Sequence, residues 1–295
     1  MKLTTAVTVL FATTAATASS KINDENEQLA NIDRELLGAP RIINGVDAPE
    51  GRYPYTVSLD TGSYHFCGGS LIAPNVVLSA AHCYEPLDKS ATRAIVNPYK
   101  LSDASSDETF EIESFVKHPS YQSLGGYDHD YVVIKLKGTS NNPYVRLNSD
   151  KSVPAVGSTL DVMGWGNTAL SGYTGSDTLQ QVDVLAMSNS ACETKYAAAG
   201  VPGQIFDDSL CVAEVNQGSC QGDSGGPLVL PDAGDYSFDV QVGVVSWGIG
   251  CAMEERKLSL CVLVGFWHVN HEWNQSNCLL STLQCNRSWC VFSSL

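Results

Sequence analysis

The chain has 295 residues, of which 43% are hydrophobic and 17% are charged, and its formal net charge at pH 7 is −15. A chain of this length and hydrophobicity can bury the core of one large domain or two small ones, which excludes disorder throughout. Nucleic acids and anionic membranes bind basic surfaces, so the strongly negative charge argues against either as a partner.

The first 41 residues have the pattern of processing segments. Residues 1–18 contain a basic Lys2, an apolar run and the small-residue motif Ala16-Thr17-Ala18, which is typical of a secretory signal peptide. The alternative is a short helix of the mature fold. Residues 19–41 are polar and acidic and end at Arg41, where the sequence switches to IINGVDAP. We therefore expect a secreted, extracellular protein whose propeptide is removed by a protease that cuts after Arg41.

From Tyr53 onward the sequence has the signals of an all-β protein. Short runs rich in Val, Ile, Tyr and Thr alternate with clusters of Gly, Asn, Asp, Ser and Pro. One helix is predicted in SNSACETKYAAAG, where Ser190 and Glu193 form a capping-box signal and Gly200 a stop. Strands this numerous favour a barrel or sandwich over a parallel sheet. The clearest strand candidates are YTVSL, SLIA, NVVLSA, DYVVIKL, TLDVMGW, QQVDVLAM, GGPLVL and VQVGVVSW.

A polar stretch at residues 148–158 divides the body into two β-rich halves of similar length. Two packed β-domains would place residues of both halves on opposite sides of a cleft, which is where ligand sites tend to form. We therefore expect functional residues from both halves.

The first half contains a candidate acid–base pair. A histidine such as His82, which follows an apolar strand, is by itself more often structural than catalytic. Asp130, however, immediately precedes YVVIKL, a strand that we predict to be buried on both faces, and a buried carboxylate needs a hydrogen-bonding partner. An imidazole N–H would be a suitable one, since it leaves the other ring nitrogen to accept a proton. Asp128 is the rival candidate, but we expect it to be solvated in its glycine-rich loop.

The second half contains a candidate nucleophile, Ser224, in SCQGDSGGPLV. The N–H groups of Gly222 and Ser224 could point at a developing oxyanion, and a side chain at position 222 would obstruct substrate. Asp223 is an unusual residue to bury unless a cation pairs with it. Cleavage after Arg41 creates such a cation, the α-amino group of Ile42. We therefore expect an ion pair that orders the oxyanion loop only after processing.

Six segments resemble, in order and in spacing, the motifs of the trypsin-like (chymotrypsin-fold) serine proteases. They are RIINGVDAPEGRYPYTVSL, CGGSLIAPNVVLSAAHC, DHDYVVIKL, MGWGNT, CQGDSGGPLV and VVSWGIGCA. The resemblance covers about residues 41–252. It implies an all-β fold of two packed six-stranded antiparallel β-barrels, at about residues 42–147 and 158–252, with the active site in the cleft between them.

The resemblance also implies roles for the candidate residues. His82, Asp130 and Ser224 match the general base, orienting acid and nucleophile, and Gly222 with Ser224 matches the oxyanion donors. The remaining matches are the activation pair Ile42 and Asp223, and the strand that binds the substrate backbone by β-addition, Ser246, Trp247 and Gly248.

Export would place the ten cysteines in an oxidising compartment, where disulfide pairing is the default. The resemblance implies three pairs, Cys67–Cys83, Cys192–Cys211 and Cys220–Cys251, and leaves Cys261, Cys278, Cys285 and Cys290 unassigned. A structural zinc site is the alternative, but the sequence has neither a CxxC pair nor an HExxH motif. We expect no metal, no cofactor and a monomer.

The base of the primary specificity pocket departs from trypsin. The matching position, six residues before the nucleophile, is Gly218, where trypsins carry an Asp that pairs with Arg or Lys of the substrate. Without that charge, the usual cause of a preference for basic residues is missing. An acid from another wall, such as Glu254 or Glu255, is the alternative source of a basic preference.

The C-terminal segment is the second departure. Residues 253–295 contain four of the ten cysteines and three of the five tryptophans, and they do not follow the family pattern. We expect a divergent cysteine-rich tail, which leaves the last strand and the C-terminal helix of the second barrel in doubt. The alternative is that GFWHV supplies the missing pocket wall and last strand.

Two functions of different classes fit these observations. The first is a secreted serine endopeptidase, made as a zymogen, that hydrolyses protein or peptide substrates through an acyl-enzyme at Ser224. The second is a catalytically impaired homologue that binds or inhibits a partner, which the tail and Gly218 favour. The presence of all three catalytic side chains favours the enzyme. A structural or adhesive protein has no supporting feature beyond secretion.

Overall fold

The computed structural model describes residues 45–84, 92–103, 108–168, 175–213, 218–232 and 235–248, and the backbone of 261–264, 283–286 and 289–292. All of these residues belong to one compact unit that spans Arg41–Leu295. The described part consists mainly of strands and has one α-helix, α1 (Asn189–Ala198). In chain order the strands are β1 (Val46–Asp47), β2 (Thr56–Asp60), β3 (His65–Ala73), β4 (Val76–Ser79), β5 (Arg93–Val96), β6 (Glu108–Lys117), β7 (Val132–Leu136), β8 (Arg146–Leu147), β9 (Thr159–Gly164), β10 (Gln180–Met187), β11 (Ser209–Ala213), β12 (Pro227–Leu230), β13 (Val240–Gly248), β14 (Cys261–Val264), β15 (Leu283–Asn286) and β16 (Trp289–Phe292).

The first barrel forms from strands of the first half of the chain. Antiparallel pairing in the order β2–β3–β4–β7–β6–β5 closes when β5 pairs with β2. Successive side chains of a strand face opposite sides of a sheet. Accordingly, Val132, Ile134 and Leu136 of β7 are buried, whereas Val133 and Lys135 are only partly buried. The prediction that this strand is buried on both faces is therefore wrong, because its outer face is partly open to solvent.

The second barrel forms from a ring of strands in the order β9–β10–β11–β14–β13–β12, which closes when β12 pairs with β9. Its apolar side chains, including Leu160, Val162, Val182 and Leu228, form a separate core. The predicted all-β fold of two six-stranded antiparallel barrels is confirmed.

The ring of the second barrel is completed by β14, which lies in the segment expected to diverge after residue 252. Cys211 of β11 is paired with Val262, and Val245 of β13 is paired with Leu263. The last strand, which was in doubt from the sequence, is thus present as CVLV, and the alternative segment GFWHV lies outside the described residues. The physical reason for this strand is that β11 and β13 would otherwise each present an unpaired edge of backbone N–H and C=O groups.

Short segments of the first half also bind the second barrel. β1 pairs with β10, and β8 pairs in parallel with β13. Near β2, the Arg52 guanidinium makes two hydrogen bonds to the buried Asp239, of 2.5 and 2.9 Å, and the Tyr55 hydroxyl donates to the same carboxylate at 2.6 Å. The Tyr53 hydroxyl donates to Asp161 of β9 at 2.8 Å. Buried carboxyl groups of the second barrel thus bind side chains of the first half of the chain.

Helix α1 lies between β10 and β11. Its N-cap is Ser188, whose hydroxyl accepts a hydrogen bond from the Ala191 N–H at 3.3 Å, so the prediction that Ser190 is the cap is wrong. The predicted capping-box partner Glu193 accepts from the Gly203 N–H at 2.6 Å instead. A disulfide between Cys192 and Cys211 fixes the helix to β11. In the described part of the chain, no helix is long and apolar enough to span a membrane.

Candidate active site

The candidate base and orienting acid lie side by side because β4 and β7 are neighbours in the first barrel. His82 is in a 3₁₀ turn, Ala81–Tyr84, that follows β4, and Asp130 lies just before β7. The His82 Nδ1 atom is 2.6 Å from Asp130 Oδ2, and the His82 backbone N–H donates to Asp130 Oδ1 at 2.9 Å. The structure therefore brings this predicted pair together.

The Asp130 carboxylate is completely buried, and a third hydrogen bond comes from the second barrel. The Ser246 hydroxyl donates to Asp130 Oδ2 at 2.5 Å. Because an ionised carboxylate can only accept hydrogen bonds, the proton of the neutral His82 ring lies on Nδ1. The lone pair on Nε2 is then available to accept a proton.

The candidate nucleophile lies in the loop between β11 and β12, against the first barrel. The Gly68 N–H donates to the Ser224 carbonyl oxygen at 2.7 Å. The Cys83 Sγ atom, which forms a disulfide with Cys67, lies 3.7 Å from that oxygen and 3.8 Å from His82 Nε2. Ser224 and His82 thus lie against the same sulfur atom, although they are 142 residues apart in the chain (224 − 82).

The glycine after the serine is required by close packing. Gly225 has φ +83°, and a Cβ atom there would collide with the Ser79 hydroxyl and the Gly68 carbonyl oxygen. Its N–H donates to the Val245 carbonyl oxygen at 2.7 Å. A side chain at Gly225 would therefore push the Ser224 loop away from β3 and β4.

The candidate oxyanion loop is held by a histidine that the sequence analysis did not identify. His65 Nε2 is 2.9 Å from the Gly222 carbonyl oxygen, and His65 Nδ1 is 2.8 Å from the Ser58 hydroxyl. Burial lowers the pKa of His65, so the ring is neutral at physiological pH, with one donor and one acceptor nitrogen. Since the carbonyl oxygen can only accept, His65 donates through Nε2 and fixes the orientation of the Gly222 peptide. Its partner is 157 residues away, so no local signal reveals it.

Asp223 is completely buried beside the oxyanion loop. Its carboxylate accepts the backbone N–H groups of Gly166 and Cys220, each at 2.8 Å. Burial raises the pKa of Asp223 to about 6, although these two hydrogen bonds oppose the rise. Among the described residues Asp223 forms no ion pair. Its predicted partner, Ile42, lies outside the described residues.

The residues predicted to form the specificity pocket are a buried glycine and a tryptophan that packs against other aromatic rings. Gly218 is buried with φ +151°. Because it is a glycine, it brings no charge to the position predicted to be the base of the pocket. Trp247 lies at the end of β13 with its ring edge-on to Tyr196, at 5.0 Å, and stacked on Tyr127, at 6.0 Å. Tyr127 also contacts the His82 ring edge-on at 5.6 Å. Gly248 follows Trp247 and is exposed.

The predicted Cys220–Cys251 disulfide and the two alternative acids of the pocket involve residues outside the described part of the chain. Cys220 is disulfide-bonded. Its predicted partner Cys251, and the alternative acids Glu254 and Glu255, lie outside the described residues.

The prediction that Asp128 is solvated is wrong. The residue is buried, with 1% of its surface exposed, because its loop folds back over it. The Ser123 hydroxyl, the Leu124 N–H and the His129 ring contact its Oδ2 atom at 3.0, 3.1 and 3.2 Å. Burial works to raise the pKa of Asp128, but these hydrogen bonds hold it below its ordinary value. Asp130, and not Asp128, contacts His82.

A cluster of possible metal ligands lies at the same place but does not have the chemistry of a metal site. The ligand atoms of Cys67, His82 and Cys83 are within 4.8 Å of one another. The two sulfur atoms are bonded to each other, however, and thiolates are the form in which cysteine binds metals.

A serine on a glycine-rich loop, beside an imidazole oriented by a buried carboxylate, is the arrangement of a serine hydrolase that acts by nucleophilic catalysis.

Comparisons with known proteins narrow this class. The family model described as Trypsin matches residues 42–264, which includes β14. Trypsin I-P1 of Gallus gallus is 36% identical over 251 residues, which cover 83% of this chain and 89% of that protein. Trypsin of Squalus acanthias is 40% identical over 223 residues, which cover 73% and 88%. Serine protease 1 of Rattus norvegicus is 37% identical over 239 residues, which cover 77% and 88%.

The chain therefore belongs to the trypsin family. It is a serine endopeptidase, a hydrolase of peptide bonds.

Proposed function

We propose that this endopeptidase is secreted as an inactive precursor and cleaves protein or peptide substrates with Ser224 as nucleophile, His82 as general base and Asp130 as orienting acid. The observation that carries the proposal is the hydrogen-bonded pair of His82 and the buried Asp130, at 2.6 Å. That pair leaves His82 Nε2 able to accept a proton beside the Ser224 loop.

Catalysis proceeds in two halves. The Ser224 Oγ atom attacks the substrate carbonyl carbon while its proton passes to His82 Nε2, and Asp130 stabilises the resulting imidazolium. The N–H groups of Gly222 and Ser224 bind the oxyanion of the tetrahedral intermediate. His82 then gives its proton to the leaving amine, which leaves an ester on Ser224. A water molecule, deprotonated by His82, hydrolyses that ester and regenerates the serine.

Activation would supply the charge that Asp223 lacks. A carboxyl group buried without a cation favours its neutral form, which agrees with the pKa of about 6. Cleavage after Arg41 frees the α-amino group of Ile42, whose positive charge would pair with the Asp223 carboxylate. We propose that this ion pair stabilises the loop of residues 218–226 in its catalytic arrangement, so that processing switches the enzyme on.

Substrate preference would differ from that of trypsins. The backbone of Ser246, Trp247 and Gly248 would bind the substrate as an added strand. The substrate residue before the scissile bond (P1) would then enter the pocket above Gly218. Because that position has no charge, we propose that uncharged P1 side chains are preferred over Arg and Lys.

The proposed domain organisation follows from the same features. Residues 1–18 would direct secretion, and 19–41 would form the propeptide. The two disulfides of the described part are of the kind that persists in extracellular proteins. We propose that the protease domain begins at Ile42 and includes β14, since that strand closes the second barrel.

Hydrolysis of a protein substrate tests the triad. The chain is cut after Arg41 and incubated with casein, and the new amino groups are counted. Wild type should release peptides, whereas Ser224→Ala should lose turnover and keep the melting temperature of wild type. Equal turnover by the two proteins would contradict the role of Ser224. No turnover by wild type, with the Ile42 terminus confirmed, would favour the binding or inhibitory protein instead.

A further inference from the structure

The backbone just before Asp130 has an unusual conformation. His129 has φ +53°, which is in the left-handed region that residues with a side chain rarely adopt. Such a conformation persists only where surrounding contacts impose it, and it is common at functional sites. The contacts around His129 therefore show what holds the peptide that leads into Asp130.

One of these contacts comes from the second barrel. The Asp208 carboxylate accepts the backbone N–H of His129 at 2.8 Å, and its Oδ2 atom lies 3.9 Å from the His129 ring nitrogen Nδ1. Asp208 lies immediately before β11 and is buried, with 5% of its surface exposed. Hydrogen bonds to a carboxylate are stronger than those between neutral groups. A buried acid of the second barrel thus holds the chain of the first barrel next to the catalytic acid.

Other contacts fix the His129 ring and the residue after Asp130. The His129 ring is stacked on the ring of His118, with centroids 4.7 Å apart and planes 6° from parallel. The His118 N–H donates to the Tyr131 carbonyl oxygen at 3.0 Å, and the Tyr131 N–H donates to the His129 carbonyl oxygen at 2.8 Å. The chain on both sides of Asp130 is therefore fixed, and Asp208 supplies a contact to it from the second barrel.

We propose that Asp208 is a positioning residue for catalysis: by holding His129, it keeps the Asp130 carboxylate in hydrogen-bonding contact with His82. The inference rests on the proposed role of Asp130 and adds, beside the Ser246 hydroxyl, a second contact through which the second barrel acts on Asp130. Correct docking of the barrels would be needed for the orientation of a catalytic group that lies wholly in the first barrel.

Four variants of the processed enzyme test this inference. Asp208→Ala removes the acceptor, and Asp208→Asn restores an oxygen that can accept the His129 N–H. Asp177→Ala is the matched control, because Asp177 also accepts a backbone N–H from the first half of the chain, that of Ser102 at 2.8 Å. Asp130→Asn serves as the background for a double-mutant cycle. For each variant, kcat, KM and the melting temperature are measured.

The expected result is a fall in kcat of about 10- to 100-fold for Asp208→Ala, with KM changed by less than about 2-fold, because small displacements of catalytic groups have effects of this size. Asp208→Asn should recover most of the loss, and Asp177→Ala should have the kcat of wild type. In the Asp130→Asn background, Asp208→Ala should have little further effect, since it acts through Asp130. If Asp208→Ala does not fold, Asp208→Ser, whose shorter side chain withdraws from His129, replaces it.

Three results would overturn the inference. They are an unchanged kcat in the folded Asp208 variant, an equal loss in Asp177→Ala, or a full additional loss in the Asp130→Asn background. Failure of the proposed function would look different, since Asp130→Asn itself would then keep the activity of wild type.

Discussion

The two barrels contribute to the proposed active site in different ways. The first supplies His82 and Asp130 from adjacent strands, and the two residues are already hydrogen-bonded at 2.6 Å. The second supplies Ser224 and the proposed oxyanion donors from one loop, whose buried Asp223 has no cationic partner among the described residues. The acid–base pair is thus assembled in the structure, whereas Asp223, beside the Ser224 loop, is the group to which the proposed activation would bring a positive charge.

Three buried carboxyl groups have shifted pKa values, and the direction of the shift differs between them. In the first barrel, hydrogen bonds hold the pKa of Asp128 below its ordinary value. In the second, burial raises the pKa values of Asp161 and Asp223 to about 6 each. The ionisation of Asp161 and Asp223 therefore opposes folding near neutral pH.

The largest expected effect concerns the closure of the second barrel. A chain that ends at residue 260 lacks β14 and leaves the edges of β11 and β13 unpaired, so we expect it to lose most of the roughly 5 to 15 kcal/mol that stabilise a domain. A chain that ends at Val264 keeps the complete ring and should unfold cooperatively. Urea unfolding followed by circular dichroism measures both chains. Equal stability of the two chains would contradict the expectation that β14 stabilises the second barrel.

The second-largest effect concerns the hydrogen-bonded pair of His82 and Asp130. In Asp130→Asn the side-chain amide can donate to His82 Nδ1, which would favour the tautomer with a proton on Nε2, so we expect kcat to fall about 10⁴-fold. Steady-state kinetics of the processed enzyme measures the change. Asp60→Asn is the control, because Asp60 is a buried acid of the first barrel that pairs with Arg93, and it should keep kcat. A loss of less than about 10-fold in Asp130→Asn would remove Asp130 from its role.

The smallest effect is a pH dependence of the precursor. The pKa of Asp223 is raised from 3.8 to about 6 on folding, so the folded state binds the proton more tightly than the unfolded state. Its contribution to stability is therefore present below about pH 4 and is lost as the pH rises to about 6, in total about 3 kcal/mol. Asp161 changes in the same direction.

Urea unfolding of the precursor between pH 4 and pH 7 measures how its free energy of unfolding changes with pH. Asp223→Asn should remove the Asp223 part of it, and Asp161→Asn should remove the Asp161 part. In the processed chain the Asp223 part should disappear, because the Ile42 ammonium would stabilise the charged form. If the free energy of unfolding of the precursor changes equally with pH in wild type and in Asp223→Asn, the raised pKa of Asp223 would be contradicted.

Strands with strong apolar patterns could be predicted from the sequence, whereas features set by distant contacts could not. QQVDVLAM coincides with β10, Gln180–Met187. β5, β6 and β11 had no candidate, since RAIV and SLCVA are short and the charged residues of β6 obscure its alternation. β14 is a short apolar run, CVLV, and its place in the barrel depends on the edges of β11 and β13.

The site shows the same division. The motifs around His82, Asp130 and Ser224 predicted these candidate residues, and the structure places the His82–Asp130 pair and the backbone of Ser224 against the same disulfide. Burial of Asp128 and the contact of His65 with Gly222 depend on how loops fold over one another. The hydrogen bond from His129 to Asp208 joins residues 79 positions apart, so no short pattern could predict it.

Labelling with a fluorophosphonate probe, followed by intact mass, tests the central claim most directly. The precursor and the chain cut after Arg41 are treated in parallel, with cut Ser224→Ala as the control. We expect rapid addition of one probe to Ser224 in the cut chain, slow addition in the precursor and none in Ser224→Ala. Equal rates in the precursor and the cut chain would contradict the claim that processing completes the second half of the site. No addition in the cut chain would contradict the assembled triad itself.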